Sequence, residues 1–351
     1  IKVAPYAAND WYQIVNEPVA AGVNPVGTWV ESPWTDKPAL MTLSQGDSLS
    51  GGGTAAGRRV QIPMGSGQGA TPVGINSLSG AGRGLIRRSI AWGGGCDGCN
   101  PDYLPDTKTG EFSTTAYGSG SIEGLAYLPE GMSFNSTAVP AGGALLSVDA
   151  GDMFYMTDLS GNLLTSLAVP GGTPTGVTLV QNGAWADHLA VSDKQDDAIN
   201  YFDLSGNLVG SFSTNVSADF DSATPVDVAF IGVTASGTYD NHLAIPDMGK
   251  NKVYLVDQSG TWVSSIDITG LTYNVSGAVH LPGTDKLLLS GTGEQTFIIN
   301  FAGSLLNQYD TSPFGTSSPQ AVTLNPATCD HLIGDSSADL IMNLNLAGGS
   351  D

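Results

Sequence analysis

Along most of the chain, apolar residues alternate with polar ones in runs of five to eight, rich in Val, Ile, Leu, Phe and Tyr. Gly, Asn, Asp and Ser separate the runs. A period of two describes strands half buried on a sheet rather than amphipathic helices. Two phrases recur almost unchanged, DLSGNLLTSL at 158–167 and DLSGNLVGSF at 203–212. Each belongs to a longer unit. DHLAVSDKQDDAINYFDLSGNLVGSFS (187–213) matches NHLAIPDMGKNKVYLVDQSGTWVSSID (241–267). Residues 143–169, 286–310 and the fragment 330–349 fit the same frame. The turn glycines Gly161, Gly206, Gly260, Gly303 and Gly348 are spaced 45, 54, 43 and 45 residues apart. A period in this range signals a repeat architecture.

Upstream of each HLAV-like run lies another apolar run: IEGLAYL (122–128), PTGVTLV (174–180), PVDVAFI (225–231), VSGAVHL (275–281) and PQAVTLN (319–325). Each unit is therefore four strands, closed by a tight Ser-Gly-Asn hairpin whose glycine supplies a positive φ. Four-stranded units of this length form the blades of a β-propeller. The expected fold class is all-β. INSLSGAGRGLIRRSIAW (75–92) fits the outer hairpin of one more blade, with PALMTLS (38–44) and RRVQIPM (58–64) as its inner strands. Six blades are thus favoured; the alternative is five, closed by RGLIRRSIAW. The last repeat lacks an outer strand, and an unpaired edge invites association. WYQIVN (11–16) is the expected donor, within an extended arm spanning 1–37. The propeller then covers 38–351, with a loop insertion at 93–120.

IEGLAYLPEG (122–131) and the phrase HLAVSD…YFDLSGNLVGSF resemble the six-bladed propellers of the NHL, SdiA-regulated and esterase-like phytase group. The resemblance covers roughly residues 75–348 and carries architecture rather than function. In gluconolactonase-like and regucalcin-like propellers, a Glu of an E-G motif holds a divalent cation in the central channel, together with Asn or Asp from other blades. Glu123 matches the Glu. The corresponding places in other blades hold Thr175, Val226, Ser276 and Gln320, while Asp227 is displaced by one residue onto the other strand face. The resemblance thus implies one ligand with neutral neighbours, where a divalent ion needs several converging oxygens.

Composition narrows the classes. The chain has 351 residues and a formal charge of −21. Residues 1–92 hold 5 acids and 7 bases, a net of +2, and residues 93–351 hold 28 acids and 5 bases, a net of −23. Nucleic acid is not an expected partner, because phosphate binding needs clustered Lys and Arg over the body. All five arginines lie in the first section, which favours docking that section on acidic surface. No apolar run approaches the roughly 18 residues that span a bilayer. The opening IKVAPYAAND carries neither an initiating Met nor a signal peptide and reads as a processed product. Sequons at Asn135, Asn215 and Asn274 are glycosylation candidates. The expected location is extracellular or at the cell surface.

Candidate chemistry is sparse. Asp149, Asp193, Asp247 and Asp335 recur after the second strand; they read as turn-binding side chains, with Asp193, Asp196 and Asp197 as an alternative Ca²⁺ site. His188, His242 and His331 recur before a strand and read as packing and hydrogen-bonding groups. Cys96 and Cys99, in GGGCDGCN, have CxxC spacing without a following His or a second CxxC pair, which favours a short-loop disulfide; Cys329 leaves the connectivity open. GxSxG, HExxH and P-loop patterns do not occur, and no cofactor is expected. The favoured function is an extracellular, non-enzymatic structural subunit. It would assemble with copies of itself into a filament or surface layer, Trp11, Tyr12, Ile14 and Val15 donating a strand to an open propeller edge. Alternatives are a secreted adhesion propeller that binds cell-surface polymers and a phytase-like or lactonase-like hydrolase.

Overall fold

The computed structural model describes residues 105–346, apart from 171, 272, 273, 292 and 327, together with three strands nearer the N-terminus. The chain divides into two compact units, Ile1–Asn100 and Pro101–Asp351. In the first, β1 (Val23–Thr28), β2 (Pro38–Leu43) and β3 (Arg59–Gln61) form an antiparallel sheet in that order. The stretches expected to begin a first blade thus lie in a separate three-stranded sheet.

The second unit opens with β4 (Pro105–Ser113). Blade 1 follows with β5 (Ile122–Leu128), the small hairpin β6 (Ser133–Phe134) and β7 (Thr137–Ala138), then β8 (Ala144–Asp149), β9 (Met153–Asp158) and β10 (Leu163–Ala168). Blade 2 is β11 (Pro174–Val180), β12 (His188–Asp193), β13 (Ala198–Phe202) and β14 (Leu208–Ser213). Blade 3 is β15 (Ala229–Ile231), β16 (His242–Asp247), β17 (Lys252–Val256) and β18 (Trp262–Asp267). Blade 4 is β19 (Val275–His280), β20 (Lys286–Gly291), β21 (Gln295–Asn300) and β22 (Leu305–Asp310). Blade 5 is β23 (Pro319–Leu324), β24 (His331–Asp335) and β25 (Leu340–Leu346), with β4 as its outer strand. The innermost strands β5, β11, β15, β19 and β23 stand side by side around the axis, and β23 meets β5 again. The ring has five blades; the favoured count of six is corrected to the alternative of five.

Closure is also corrected. β4 pairs antiparallel with β25, Phe112 opposite Ile341 and Lys108 opposite Leu344, so β25 has neighbours on both sides. The donor comes from inside the stretch expected to be a loop insertion. Residues 11–16 and 75–92 lie outside the described residues.

A recurring hydrogen bond shows that β4 is a true fourth strand. In each blade the turn between the second and third strands contains one non-glycine residue in the left-handed region: Asp152, Asp197, Asn251, Glu294 or Asp339. Its carbonyl accepts the N–H of the residue at the end of the fourth strand, from Val169, Thr214, Ile268, Thr311 and Thr114 at 2.7–3.0 Å. Thr114 follows β4 and binds Asp339 of blade 5. Phe112 then covers the turn glycine of blade 1, Gly161, as Leu167 covers Gly206 and Phe212 covers Gly260. A Cβ at these glycines would collide with the covering side chain, and their φ of 84–86° suits glycine in any case.

The repeated DLSGN phrase is the outer hairpin. Asp158 accepts the N–H groups of Ser160 and Asn162 and the Asn162 side-chain amide at 2.8–2.9 Å. Asp203 does the same with Ser205 and Asn207. An aspartate that satisfies its own turn makes a three-residue loop followed by a bulge, and the pairing register slips at that bulge in both blades. Between blades the core is aromatic and aliphatic. Phe134, Phe154 and Phe202 stack edge to face with centroids 5.7 Å apart.

Candidate functional site

Glu123 lies at the axis, where inner strands of the ring begin. In four blades the register slips just there, between Ile122 and Gly124, Pro174 and Gly176, Val275 and Gly277, Pro319 and Ala321. Glu123, Thr175, Ser276 and Gln320 are the residues skipped. A bulge re-aims a side chain that regular pairing would place on the sheet face. Thr175 Oγ1 donates to the Pro225 carbonyl of the next blade at 2.9 Å, and Ser276 Oγ to the Pro319 carbonyl at 2.7 Å. These two side chains hold neighbouring blades together. Glu123 and Gln320, on the adjacent blades 1 and 5, are half-buried. Glu123 accepts a hydroxyl bond from Ser121 at 2.8 Å, and Gln320 makes a long contact to Ser318 at 3.4 Å.

One residue further along the chain in each blade sits Gly124, Gly176, Asp227, Gly277 or Ala321, Asp227 lying just ahead of β15. Five strands converge so closely here that a Cβ at Gly124 would lie 2.5 Å from the Gly176 Cα. Blade 3 alone carries a large polar group at this level. Asp227 is buried; its Oδ1 accepts the Val228 N–H at 2.8 Å and its Oδ2 the Ala278 N–H of blade 4 at 2.7 Å. The carboxyl packs against Gly176. The Val228 N–H thereby leaves the ladder, which explains why β15 starts only at Ala229. Burial pushes the Asp227 carboxyl well above the usual range, against the two N–H bonds that lower it. Strand alternation removes it from the Glu123 row and places it between inner strands, so it adds no second acid at the channel mouth. Only the side-chain displacement was readable in the sequence; the substitution of Asp for the ring glycine emerges once the strands are in register.

The recurring aspartates are consumed by the fold. Asp193 accepts N–H groups from Thr173, Gln195 and Asp196 at 3.0–3.1 Å. Asp247 takes the Ser222 and Thr224 hydroxyls and the N–H groups of Thr224 and Lys250. Asp335 takes four N–H groups, from Ser317, Ser318, Ser337 and Ala338. Asp149 binds Gly151 and Met153. Each carboxylate ties the loop entering its blade, or its own turn, to the second strand. Beside Asp193, Asp196 is exposed and Asp197 receives a bond from Asn215. Among the described residues no group of three or more His, Cys, Asp or Glu could hold a metal ion.

The histidines serve packing. His188 Nδ1 lies 2.8 Å from the Ala186 carbonyl with Trp185 edge-on to the ring, and His242 Nδ1 lies 2.8 Å from the Asp240 carbonyl with Tyr239 edge-on. His331 is fully enclosed; its Nδ1 meets the Tyr309 hydroxyl of blade 4 at 2.6 Å, and burial holds its pKa at about 3. The imidazole is therefore neutral, and its Nδ1 and the tyrosine hydroxyl share one hydrogen bond between blades. Asn215 and Asn274 are exposed, whereas the Asn135 amide binds Thr165 and Ser166. Cys329 is buried. Cys96, Cys99, Trp11, Tyr12, Ile14 and Val15 lie outside the described residues.

The outer rim carries a feature that the sequence reading passed over. The first two residues of the outer strands are Leu163-Leu164, Leu208-Val209, Trp262-Val263 and Leu305-Leu306. Seven of these eight are exposed, Leu208 by 51%. The register makes them equivalent, and Lys108-Thr109 of β4 takes the fifth place. The signal lay in the two residues that follow each outer-hairpin turn, SGN at 160–162 and 205–207, SGT at 259–261 and AGS at 302–304. Hydrophobic alternation suggested burial, but a fourth strand has no neighbour beyond it.

No family model matches the chain, and no curated protein does. Among solved structures, the glutaminyl cyclase of Myxococcus xanthus superposes with a TM-score of 0.51 at 9% identity, covering 68% of this chain and 95% of that one. A Bacteroides caccae protein of unknown function gives 0.39 at 12% identity, over 61% of this chain and 70% of its own. At such identities the likeness to the cyclase is one of fold: this chain contains a β-propeller.

Proposed function

We propose that the protein is an extracellular, non-enzymatic structural subunit that assembles with copies of itself through the propeller rim. One observation carries this reading: apolar residues stand exposed at the same place on the outer strands of four blades, as a pair in three of them and as Leu163 alone in blade 1. Scattered surface leucines need no explanation, but a periodic row on unpaired strand edges is an association surface. The axial polar groups, by contrast, are largely spent on joining blades. Strand donation into the last blade is not the route, because β4 occupies that edge. Exposed sequons at Asn215 and Asn274 agree with an extracellular setting.

Sizing chromatography and negative-stain imaging of the full chain test the reading. Wild type should form oligomers or filaments, and Leu163→Ser/Leu208→Ser/Trp262→Ser/Leu305→Ser should run as a monomer. A wild-type chain that stays monomeric at high micromolar concentration would sink it.

A second reading treats the channel mouth as a small-ligand site, as in a binding propeller or a hydrolase. It is favoured by the half-buried Glu123 beside the Gln320 blade, an acceptor and an amide on adjacent inner strands. Glutaminyl cyclase activity, named for the Myxococcus propeller, and metal-dependent phosphate-ester or lactone hydrolysis are the assays. Turnover unchanged in Glu123→Gln removes this residue from any mechanism.

A further inference from the structure

We infer that β14 and β18, the rims of blades 2 and 3, accept an extended cationic and apolar strand, and that the occupant is the segment Arg83–Trp92 of a second copy. The inference rests on the assembly reading above and names its partner.

Both strands pair on one side only, β14 with β13 and β18 with β17. Natural edges are commonly guarded by Lys, Pro or brevity. β4 is guarded in this way by Lys108, whose ammonium binds Glu111 and the Phe314 carbonyl. LVGSFS and WVSSID contain neither Lys nor Pro and run six residues each. They present Leu208, Val209, Trp262 and Val263 to solvent.

The charge beside these edges is negative and fixed. Asn207, followed by the other donors of its turn, holds the Asp203 carboxyl below the usual range. Partial burial pushes Asp257 up, but Ser259 and Thr261 outweigh it and hold it low. At the far end of β18, Thr269 lowers Asp267. All three therefore stay anionic through the mildly acidic range.

RGLIRRSIAW carries the complementary chemistry. Read with a period of two, Ile86, Ile90 and Trp92 share one face with Arg88, and Arg83 and Arg87 fall on the other. Three of the chain's five arginines lie in these ten residues, in a section of net +2, whereas residues 93–351 carry a net of −23. The ring is completed by β4 without them. Ten extended residues span about 33 Å, ample for a six-residue edge. Strand addition would satisfy the open backbone groups, with apolar pairs and Arg–carboxylate contacts setting register. A donor on one copy and acceptors on the next make a heterologous contact that propagates.

The test uses full-length chains. The donor variant is Arg83→Glu/Arg87→Glu/Arg88→Glu, and the acceptor variant is Leu208→Lys/Trp262→Lys. Each alone should be monomeric with an unchanged urea midpoint, whereas Arg83→Lys/Arg87→Lys/Arg88→Lys should still assemble. An equimolar mixture of donor and acceptor variants should give complexes of two or three chains and nothing larger, since every contact ends in a disabled partner. Wild-type assembly should weaken at least tenfold between 50 and 500 mM salt. Assembly by the donor variant as by wild type, or a mixture that stays monomeric, overturns the named occupant while leaving rim assembly standing. A monomeric wild type overturns the assembly reading itself.

Discussion

The inner and outer strands of the ring solve opposite problems. At the axis five strands crowd together, so one level is built from Gly124, Gly176, Gly277 and Ala321, with a buried carboxyl in the remaining blade. The polar side chains beside them bridge blades through hydrogen bonds. At the rim the blades have diverged, and apolar pairs face water. The centre therefore carries the constraint on ring geometry, and the periphery is left to make contacts. A site that recognises a partner is more readily built where substitution does not disturb the ring.

Glycine substitution breaks the comparison most severely. Gly124→Val sets a Cβ against the Gly176 backbone and should cost about 3 kcal/mol, the upper end of overpacking losses. Gly110, in the outer strand β4, has nothing within 4 Å of an added Cβ, and Gly110→Ala should be near neutral. Equal losses in urea unfolding would refute the contrast.

Next comes the enclosed His331. Its folded pKa of about 3 lies below the usual 6.5, so the unfolded chain binds more protons between those values. Its contribution is complete above pH 6.5 and is lost as pH falls toward 3. The loss is at most about 3.4 kcal/mol by pH 4, at about 1.36 kcal/mol per pH unit. Asp227 and Asp149 slope the other way, since their raised carboxyls favour the folded state at low pH. The effect is therefore read as the difference between wild type and His331→Gln across pH 4–7. A constant difference contradicts it.

Ring closure comes third. Phe112→Ala strips the cover from Gly161 and should cost about 2 kcal/mol, less than a fully buried Phe because the ring is half exposed. A loss confined to about 0.5 kcal/mol would mean that β4 contributes little to closure. Removing one turn lock, Asp203→Ala, should cost about 1 kcal/mol. Smallest of all, Leu305→Ser at the rim should change stability by less than about 0.5 kcal/mol. A larger loss would show Leu305 to be part of the core.

Much of this ring was legible before any coordinates. Asp158 and Asp203 each bond residues two and four places on, so the hairpin repeat is a local property and reads directly from DLSGN. The turn-binding role of Asp193, Asp247 and Asp335 followed from the same local chemistry. The closing strand had a local trace as well. FSTTAYG at 112–118 echoes YDTSPFG at 309–315, and both run from an outer strand into a short 3-10 turn ending in a left-handed glycine. The trace was masked because KTGEFS lacks the apolar pair that opens the other outer strands.

Sequence alone determined the four-stranded unit, its turns and its recurrence, because hydrogen bonds between residues a few places apart set them. Only the tertiary structure decided that there are five blades and that Pro105–Ser113 completes the fifth. It also revealed Asp227 in the place of a glycine and the apolar rim. Those outcomes depend on residues such as Phe112 and Ile341 meeting across most of the chain. Alternating strands leave such a pairing open until one register fills the space around the axis.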